Sequence, residues 1–321
     1  MQTKGLTDVP GILVGDVSDF DGLTGCTVVL CEAGAVGGVD VRGSATGSEE
    51  LDLLNPLHAT ERIHAVTLAG GSAFGLEAAS GVRRWLERKG IGYQTSAARV
   101  PLVTAAIIYD LAIGKATARP TREMGEAAAE AATAGPVKEG AVGAGTGATV
   151  GKLLGMNHAM KSGQGTATVA LAGDVLVSAL AVVNAVGDIL DPAVGRIVAG
   201  ARTAPDSREF ANSARLLETG AAREPLRRQN TTLVVVATNA GLSKPACTKL
   251  AQLASAGVAR SISPVWTTYD GDIVFALSTG NLQADINALG VAAAHAVSVA
   301  ILRAVRLAPT LGGIPGLWGG L

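Results

Sequence analysis

The stretch NTTLVVVATNAG, residues 230–241, decides the fold. Asn230, Thr231 and Thr232 stand directly before an unbroken apolar run from Leu233 to Ala237. A short apolar run of this kind, rich in valine and closed by a glycine, predicts a buried strand. The polar Asn-Thr-Thr segment at the start of this strand requires a separate explanation, because a strand can begin without it.

Elements predicted on both sides of this strand alternate between strand and helix. Helical spacing indicates a helix over 72–90 that ends at Gly90, and an Ala/Glu helix that Thr121 caps. A helix over 243–261 and a long Ala-rich helix over 281–307 follow the strand. Strands are predicted for GILVGDV, CTVVLCEAG, GGVDVRG, HAVTLAGG, TATVALAG, DVLVSALAVVNAVG and the segment after TTYDGD. Because nothing marks a second core, residues 1–321 are predicted to form one α/β domain.

Residues 188–229 differ in character from the rest of the chain. Prolines (Pro225 among them) and arginines, Arg227 and Arg228 included, interrupt the apolar pattern there. The segment therefore predicts an exposed connection, and a loop of such length is usually functional.

Composition excludes several classes of function. Of 321 residues, 48% are hydrophobic and only 17% charged, and the net charge is −1. That charge gives no attraction to nucleic acid. The apolar window VLVSALAVVNAVG is too short to span a bilayer, no secretory signal is recognised, and three cysteines fit no metal or disulfide pattern. We expect a cytoplasmic protein with no membrane or metal, whose low surface charge favours self-association.

The Asn230–Thr231 bond has three interpretations. Threonines often begin strands, and Asn-x-Thr is a glycosylation acceptor. The third interpretation is self-cleavage, in which the Thr231 hydroxyl attacks the carbonyl before it. Hydrolysis then frees an α-amine on Thr231, which serves as the adjacent base that activates the hydroxyl.

Four further features carry candidate chemistry, each with a structural alternative. Asp270-Gly271-Asp272 indicates a hairpin turn or acids that support a nucleophile. Asn184 is a core amide or an oxyanion donor, and Tyr109 is a core residue or part of the same site. Lys152 ends GAGTGATVGK, where it is either a buried charge partner or part of a nucleotide loop. The phosphate-loop motif fails because Leu153 follows the lysine.

The order of these features resembles the self-cleaving L-aminopeptidase/D-esterase family, which includes β-peptidyl aminopeptidases and nylon-oligomer hydrolases. The resemblance extends from about Gly5 to Leu307. It rests on seven segments in the family's order, namely GLTDVPGILVG, LAGGSAFGLEAASGV, AAIIYDL, GAGTGATVGK, AVVNAVGD, NTTLVVVATNA and DGDIVFALSTG.

The resemblance implies a four-layer αββα sandwich like that of N-terminal-nucleophile hydrolases. It implies self-cleavage between Asn230 and Thr231 into chains 1–230 and 231–321, which stay associated as a single domain. A homotetramer is implied, with no metal and no cofactor.

The same resemblance implies roles for site residues. Thr231 corresponds to the nucleophile, and Asp270 and Asp272 match its supporting network. Asn184 corresponds to the oxyanion donor. The remaining positions are the charge-orienting Tyr109 and Lys152, and a backbone-rich substrate wall of Gly70, Gly71 and Ser72.

Substrate is left open between short peptides and linear aliphatic amide oligomers. Asn-Thr at the cut, with Asp-Gly-Asp downstream, resembles the nylon-oligomer branch, whereas the N-terminal half lacks that branch's long extra segment. The alternatives are an aminopeptidase that releases N-terminal residues, a non-catalytic oligomeric binding protein, and a nucleotide-binding protein.

Overall fold

The computed structural model describes residues 4–221 and 229–319. The helices in these ranges are α1 (Glu77–Arg88), α2 (Arg122–Glu130), α3 (Ser213–Glu218), α4 (Lys244–Ser261) and α5 (Ile286–Arg306). The strands are β1 (Leu13–Asp19), β2 (Thr24–Val41), β3 (Ser48–Glu49), β4 (Arg62–Ala69), β5 (Tyr93–Gln94), β6 (Arg99–Val100), β7 (Val103–Ile107), β8 (Thr149–Val150), β9 (Met160–Lys161), β10 (Gln164–Ala170), β11 (Leu176–Asn184), β12 (Asp188–Asp191), β13 (Arg196–Ala199), β14 (Thr231–Ala240), β15 (Ile262–Ser263) and β16 (Ile273–Leu282).

Nine strands form the main sheet, in the order β10-β11-β14-β16-β2-β4-β7-β3 with β1 paired to β2. β14 and β16 run parallel, with α4 between them along the chain, and β11 is antiparallel to β14. β2 pairs with β4 at its beginning and with β16 at its end, and its register shifts between Leu30 and Ala35. One long strand therefore joins two halves of the sheet.

Residue alternation along the strands produces four layers. On β14, Leu233 and Val235 belong to a cluster that also contains Leu68 of β4, so the two sheet halves pack face to face. Val234 and Val236 point the other way, toward α4 and α5. The outer face of the β2–β4–β7 half packs in the same manner on α1 and α2. The arrangement is helix, sheet, sheet, helix, and it explains why β14 is apolar on both faces.

The longest helix, α5, is a core helix. Its composition and length would allow it to cross a membrane, and within the described ranges no other helix passes that test. However, 72% of its most apolar window is buried, and its alanines pack on α4 and on the sheet. Asp285 caps the helix by accepting hydrogen bonds from the amides of Asn287 and Ala288.

Several local predictions are confirmed. The four-layer α/β architecture, the buried strand β14 and the helices α4 and α5 are present. Thr121 caps α2 by accepting a hydrogen bond from the Met124 amide at 3.3 Å. Gly90 follows α1 with a φ of 68°, the left-handed conformation of a helix-ending glycine.

The prediction of separate strands in CTVVLCEAG and GGVDVRG was wrong, because both lie in β2. The glycines that indicated a turn allow close contacts instead. A Cβ on Gly38 would lie 2.2 Å from the Thr248 amide nitrogen of α4. Glycine is required at this position because a side chain would collide with α4, and not because the chain turns there.

The described part of the predicted exposed connection, residues 188–221, is mostly exposed or half-buried, but it is not one long loop. β12, β13 and α3 lie there, and Asp188 at its start is only 1% exposed. The Asp188 carboxylate accepts hydrogen bonds from the amides of Ala201 and Ser213 at 2.8 and 2.6 Å, which ties β12 to the later part of the segment. Pro225, Arg227 and Arg228 lie outside the described residues.

Candidate active site

Three strand ends meet at one edge of the inner layer. Thr231 at the start of β14 lies opposite Asn184 at the end of β11. In the parallel direction, Asn230 bridges to Asp270, just ahead of β16. Asp270-Gly271 is therefore the entry to a parallel strand, and the hairpin interpretation is wrong. Asn184, Asn230, Thr231 and Asp270 are all buried, so the fold brings these four predicted residues together in one polar cluster.

The carbonyl of Asn230 is the best-defined feature of this cluster. The Thr231 Oγ1 donates a hydrogen bond to the Asn230 carbonyl oxygen at 2.6 Å. The Gly271 amide donates to the same oxygen at 2.7 Å. A Cβ on Gly271 would lie 2.9 Å from Thr231 Oγ1 and 2.5 Å from the Ala45 carbonyl oxygen, so the site requires glycine there. The hydroxyl and a polarising amide thus meet at one peptide bond.

Two carboxyl groups lie beside that bond. Asp270 Oδ2 accepts hydrogen bonds from the Thr267 amide at 3.0 Å and the Thr267 hydroxyl at 2.6 Å. Asp272 Oδ1 accepts from the Thr232 amide at 2.5 Å. Burial raises the pKa of both carboxyls, and the charge of Asp270 adds to the rise for Asp272, whose pKa lies well above its usual value. Two close buried carboxyls favour one shared proton.

Lys152 and Asn184 complete the cluster. Lys152 Nζ donates to the backbone oxygen and to the Oδ1 of Asn184, each at 2.8 Å. Desolvation lowers the pKa of Lys152 to about 7, against the opposing charges of Asp270, Asp110 and Asp272. An amine with a pKa near neutrality can both accept and release a proton. The buried-charge interpretation of Lys152 therefore agrees with its surroundings, and its role in the site stays a prediction.

The Asn184 side-chain amide has a fixed orientation. Its Oδ1 accepts from Lys152 and from the Thr149 amide at 3.1 Å, and its Nδ2 donates to the backbone oxygen of Tyr109 at 3.0 Å. A primary amide has two N–H groups. One is thus committed to Tyr109, which leaves the second for an oxyanion.

Tyr109 and the predicted glycine wall approach the cluster through the backbone. The half-buried Tyr109 contributes its carbonyl, and its hydroxyl has no hydrogen bond within the described ranges. The Gly71 amide donates to Asp110 Oδ1 at 2.6 Å, and the Ser72 amide donates to the Ile108 carbonyl. Gly70 also packs on Asp110. Gly70 and Gly71 of the predicted substrate wall therefore contact Asp110, which is the residue next to Tyr109 in the chain.

Sequence reasoning missed Asp110, Thr149, Lys161 and Thr267. Asp110 follows the apolar run AAIIY, so a charge in that place is a usable signal. Lys161 is wholly buried, and its Nζ donates to the carbonyls of Gly145, Ala148 and Ser162. The two threonines carry no local signal, because only the tertiary fold brings them to their partners.

The glycine-rich loop has a structural task. Its amides are already engaged, those of Gly143 and Ala144 by the hydroxyls of Ser18 and Thr27. A phosphate cradle needs free amides, so the nucleotide interpretation finds no support here. Among the described residues, no group of three or more His, Cys, Asp or Glu side chains could hold a metal ion.

Comparisons with known proteins agree with this geometry. The sequence profile of peptidase family S58 matches residues 4–317. An uncharacterized aminopeptidase of Mycobacterium leprae (strain TN) is 40% identical, over 97% of this chain and 92% of its own length. A 6-aminohexanoate-oligomer endohydrolase of Kocuria sp. (strain KY2) is 34% identical, over 93% and 85%.

A solved structure resembles the fold. The L-aminopeptidase D-Ala-esterase/amidase from Ochrobactrum anthropi, described as a variant of the Ntn hydrolase fold, superposes with a TM-score of 0.72. It shares 21% sequence identity and covers 97% of this chain and 88% of its own. The expected resemblance and the expected fold are both confirmed. The chain is a hydrolase of the peptidase type and belongs to peptidase family S58.

Proposed function

We propose that this protein is an amide hydrolase that cuts its own chain between Asn230 and Thr231 and then uses Thr231 as its nucleophile. The single observation that carries the proposal is the contact of Thr231 Oγ1 with the carbonyl oxygen of Asn230 at 2.6 Å, inside a buried cluster. The hydrogen bond places the hydroxyl beside the peptide bond that it has to attack, and this proximity supports an intramolecular reaction.

Self-cleavage proceeds in two steps. Thr231 Oγ1 attacks the carbonyl carbon of Asn230, the Gly271 amide stabilises the oxyanion, and the hydroxyl proton passes to the departing nitrogen. An ester between Asn230 and Oγ1 replaces the peptide bond. Water then hydrolyses the ester, which leaves a carboxylate on Asn230 and a free amine and hydroxyl on Thr231.

Substrate hydrolysis uses the same groups. The α-amine of Thr231, with an ordinary pKa of about 7.7–8.0, takes the hydroxyl proton while Oγ1 attacks the substrate amide, and it passes that proton to the departing amine as the C–N bond breaks. Water then hydrolyses the acyl-enzyme, which releases the acid and restores the Thr231 hydroxyl. The second N–H of Asn184 stabilises the oxyanion, and Lys152 and the Asp270–Asp272 pair hold charge around the amine. Tyr109 orients Asn184 through its carbonyl.

The two cleavage products are expected to stay together. β14, which begins at Thr231, lies between β11 and β16 and is hydrogen-bonded along its length to β11 of the larger chain. Chains 1–230 and 231–321 therefore share one sheet and one core. Release of the Asn230 end also gives substrate a route to Thr231, which is only 3% exposed before the cut.

We assign linear aliphatic amide oligomers and short peptides as the substrate class. One oxygen of each carboxylate is engaged, Asp270 Oδ2 by Thr267 and Asp272 Oδ1 by the Thr232 amide. The proposal of cleavage within an oligomer rests on the likeness to the Kocuria relative, which is named an oligomer endohydrolase.

Intact-mass analysis with N-terminal sequencing tests the proposal. Active protein should contain two polypeptides, the smaller beginning at Thr231. Fully active protein with only the uncut 32.1 kDa chain would refute it and would favour a different active centre. Parallel assays on amino-terminal p-nitroanilides and on capped linear amide oligomers separate the aminopeptidase from the endo-acting hydrolase. An uncut protein that hydrolyses neither would favour the non-catalytic binding protein.

We also propose a cytoplasmic homotetramer. Large apolar side chains lie exposed, including Leu57 at 94% and Val291 at 72%, and burial against other copies would remove them from water. Light scattering on purified protein should give four times 32.1 kDa, and cell fractionation should place the protein in the soluble fraction. A monomer mass would refute the tetramer.

A further inference from the structure

Asp110 is a buried carboxyl that the reaction above does not use. It is 4% exposed and directly follows Tyr109, whose carbonyl orients Asn184. Burial raises the pKa of Asp110, so the fold keeps this group at a cost in desolvation. Such a group needs a structural or chemical reason.

Both oxygens of Asp110 have assigned partners. Oδ1 accepts a hydrogen bond from the Gly71 amide at 2.6 Å, and Oδ2 accepts one from the Thr24 hydroxyl at 2.7 Å. The carboxyl thereby ties the segment after β7 to the turn after β4 and to the start of β2. Three separate parts of the chain are joined at one residue.

Glycines on two sides bring backbone against the same carboxyl. A Cβ on Gly70 would lie 2.0 Å from Asp110 Oδ2, and one on Gly147 would lie 2.5 Å from Asp110 Cβ. Gly147 belongs to the loop that leads to Thr149 and Lys152, which hold Asn184 Oδ1. Asp110 therefore packs between two backbone segments. One carries the Tyr109 carbonyl, which binds Asn184 Nδ2, and the other leads to Thr149 and Lys152, which bind Asn184 Oδ1.

We propose that Asp110 is a positioning residue that fixes the Asn184 amide through the carbonyl of Tyr109, and so sets the direction of its free N–H. This inference rests on the proposed function, because it assumes that Asn184 stabilises the oxyanion. Asp110 itself touches no reacting atom. Its effect on rate passes through Asn184, and a merely structural carboxyl would act independently of Asn184.

A double-mutant cycle tests this coupling. Asp110→Ala should lower kcat by about 10-fold or more while KM changes by less than about threefold. In an Asn184→Ala background the same change should lower the residual rate by less than about twofold. An equal loss in both backgrounds would overturn the proposal. Residual rates too small for steady-state turnover are measured in single-turnover assays on the processed protein, because the oxyanion of self-cleavage is assigned to the Gly271 amide and not to Asn184.

Two further variants keep the test decisive. Asp110→Asn retains an oxygen for the Gly71 amide and a side-chain partner for Thr24, so it should recover most of the kcat. Loss as severe as in the alanine variant would contradict positioning by hydrogen bonds. If Asp110→Ala does not fold, Asp110→Asn and Thr24→Val enter the cycle in its place, and additivity with Asn184→Ala again overturns the proposal.

Asp16 supplies a matched control. Its Oδ1 accepts hydrogen bonds from the Thr27 hydroxyl at 2.7 Å and from Gln164 Nε2 at 2.9 Å, and among the described residues it makes no hydrogen bond to Asn184 or Tyr109. Asp16→Ala should change kcat by the same factor with or without Asn184. Thr231→Ala distinguishes failure of the proposed function from failure of this inference alone. If it is active, the proposed function fails, and if it is inactive while Asp110 and Asn184 are additive, only this inference fails.

Discussion

Two lysines in one part of the molecule show how burial and chemistry differ. The pKa of Lys152 and that of Lys161 are both lowered to about 7, mainly by burial. Lys161 is 0% exposed, and three backbone carbonyls accept its hydrogen bonds. Lys152 is partly exposed, and its Nζ donates both of its hydrogen bonds among the described residues to Asn184, with the charges of Asp270 and Asp272 nearby.

The difference teaches that a lowered pKa does not by itself identify a reactive group. A lysine that donates to three carbonyls within a sealed core has no position left for a substrate or a proton acceptor. Lys152 Nζ uses two of its three N–H groups on Asn184, which is the residue that pairs with Thr231, so one N–H is left for another partner. Coordination and access distinguish the two groups, and four predictions test that distinction.

The largest effect is expected at Thr231, which defines the Lys152 region as a reactive centre. Thr231→Ala removes the nucleophile, so self-cleavage should stop and hydrolysis should fall by about 10⁴-fold or more. Denaturing gels and turnover assays measure both. Thr231→Ser is the control and should still cut. A Thr231→Ala protein that appears as two polypeptides would show that Lys152 lies beside a structural threonine.

Lys152→Met tests whether Lys152 takes part in the reaction. The change keeps most of the apolar stem and removes the proton carrier, so kcat should fall by about 100-fold or more. The free energy of unfolding should fall by less than in Lys161→Met, because Asn184 Oδ1 keeps the Thr149 amide as a donor after Lys152 is removed. Urea unfolding and turnover assays report the two quantities. The exposed Lys115→Met is the control, and equal kcat values in the two variants would contradict the assignment.

Lys161→Met should lower the stability of the protein more than Lys152→Met does. It leaves the carbonyls of Gly145, Ala148 and Ser162 without their donor in a dry interior. Buried unsatisfied acceptors of this kind should lower the free energy of unfolding by about 2–4 kcal/mol. Urea midpoints compared with those of Lys152→Met check the ranking. A Lys161 variant as stable as the wild type would show that its hydrogen bonds add nothing.

The smallest effect concerns pH. The pKa of Lys161 is about 7 in the folded protein and near 10.5 when exposed, so between these values the unfolded chain binds more protons. The free energy of unfolding should then rise with pH above 7, by at most about 1.4 kcal/mol per pH unit for this group. The acid groups have raised pKa values and act in the opposite direction. Lys161→Met should lose this rise, which urea titrations at pH 7 and 9 detect, and an identical slope would contradict it.

Local sequence pattern predicted most of the elements. The apolar run of β14, the cap of α2 and the glycine after α1 follow from propensities that act over a few residues. Failures came where a distant neighbour decided the outcome. CTVVLCEAG and GGVDVRG were predicted as separate strands but both lie in β2, and residues 188–229 were predicted as a connection but contain β12, β13 and α3.

Candidate residues were predictable from the family resemblance, and their partners were not. Thr231, Asn184, Lys152 and Asp270 do lie together, whereas their roles stay predictions. Thr267 and Thr149 could not be found, because a threonine in a loop has no pattern that distinguishes it. The contribution of Tyr109 through its carbonyl is likewise invisible in a sequence.

By itself the sequence determined a buried strand entered by Asn-Thr-Thr, the alternation of strands and helices, and the family. Only the tertiary structure decided that Asn184 lies opposite Thr231, that Asp270 adjoins Asn230 and that Gly271 donates to the bond ahead of Thr231. The physical reason is strand register. Side-chain periodicity fixes which face of a strand is buried, but the pairing of separate strands fixes which residues meet at its end.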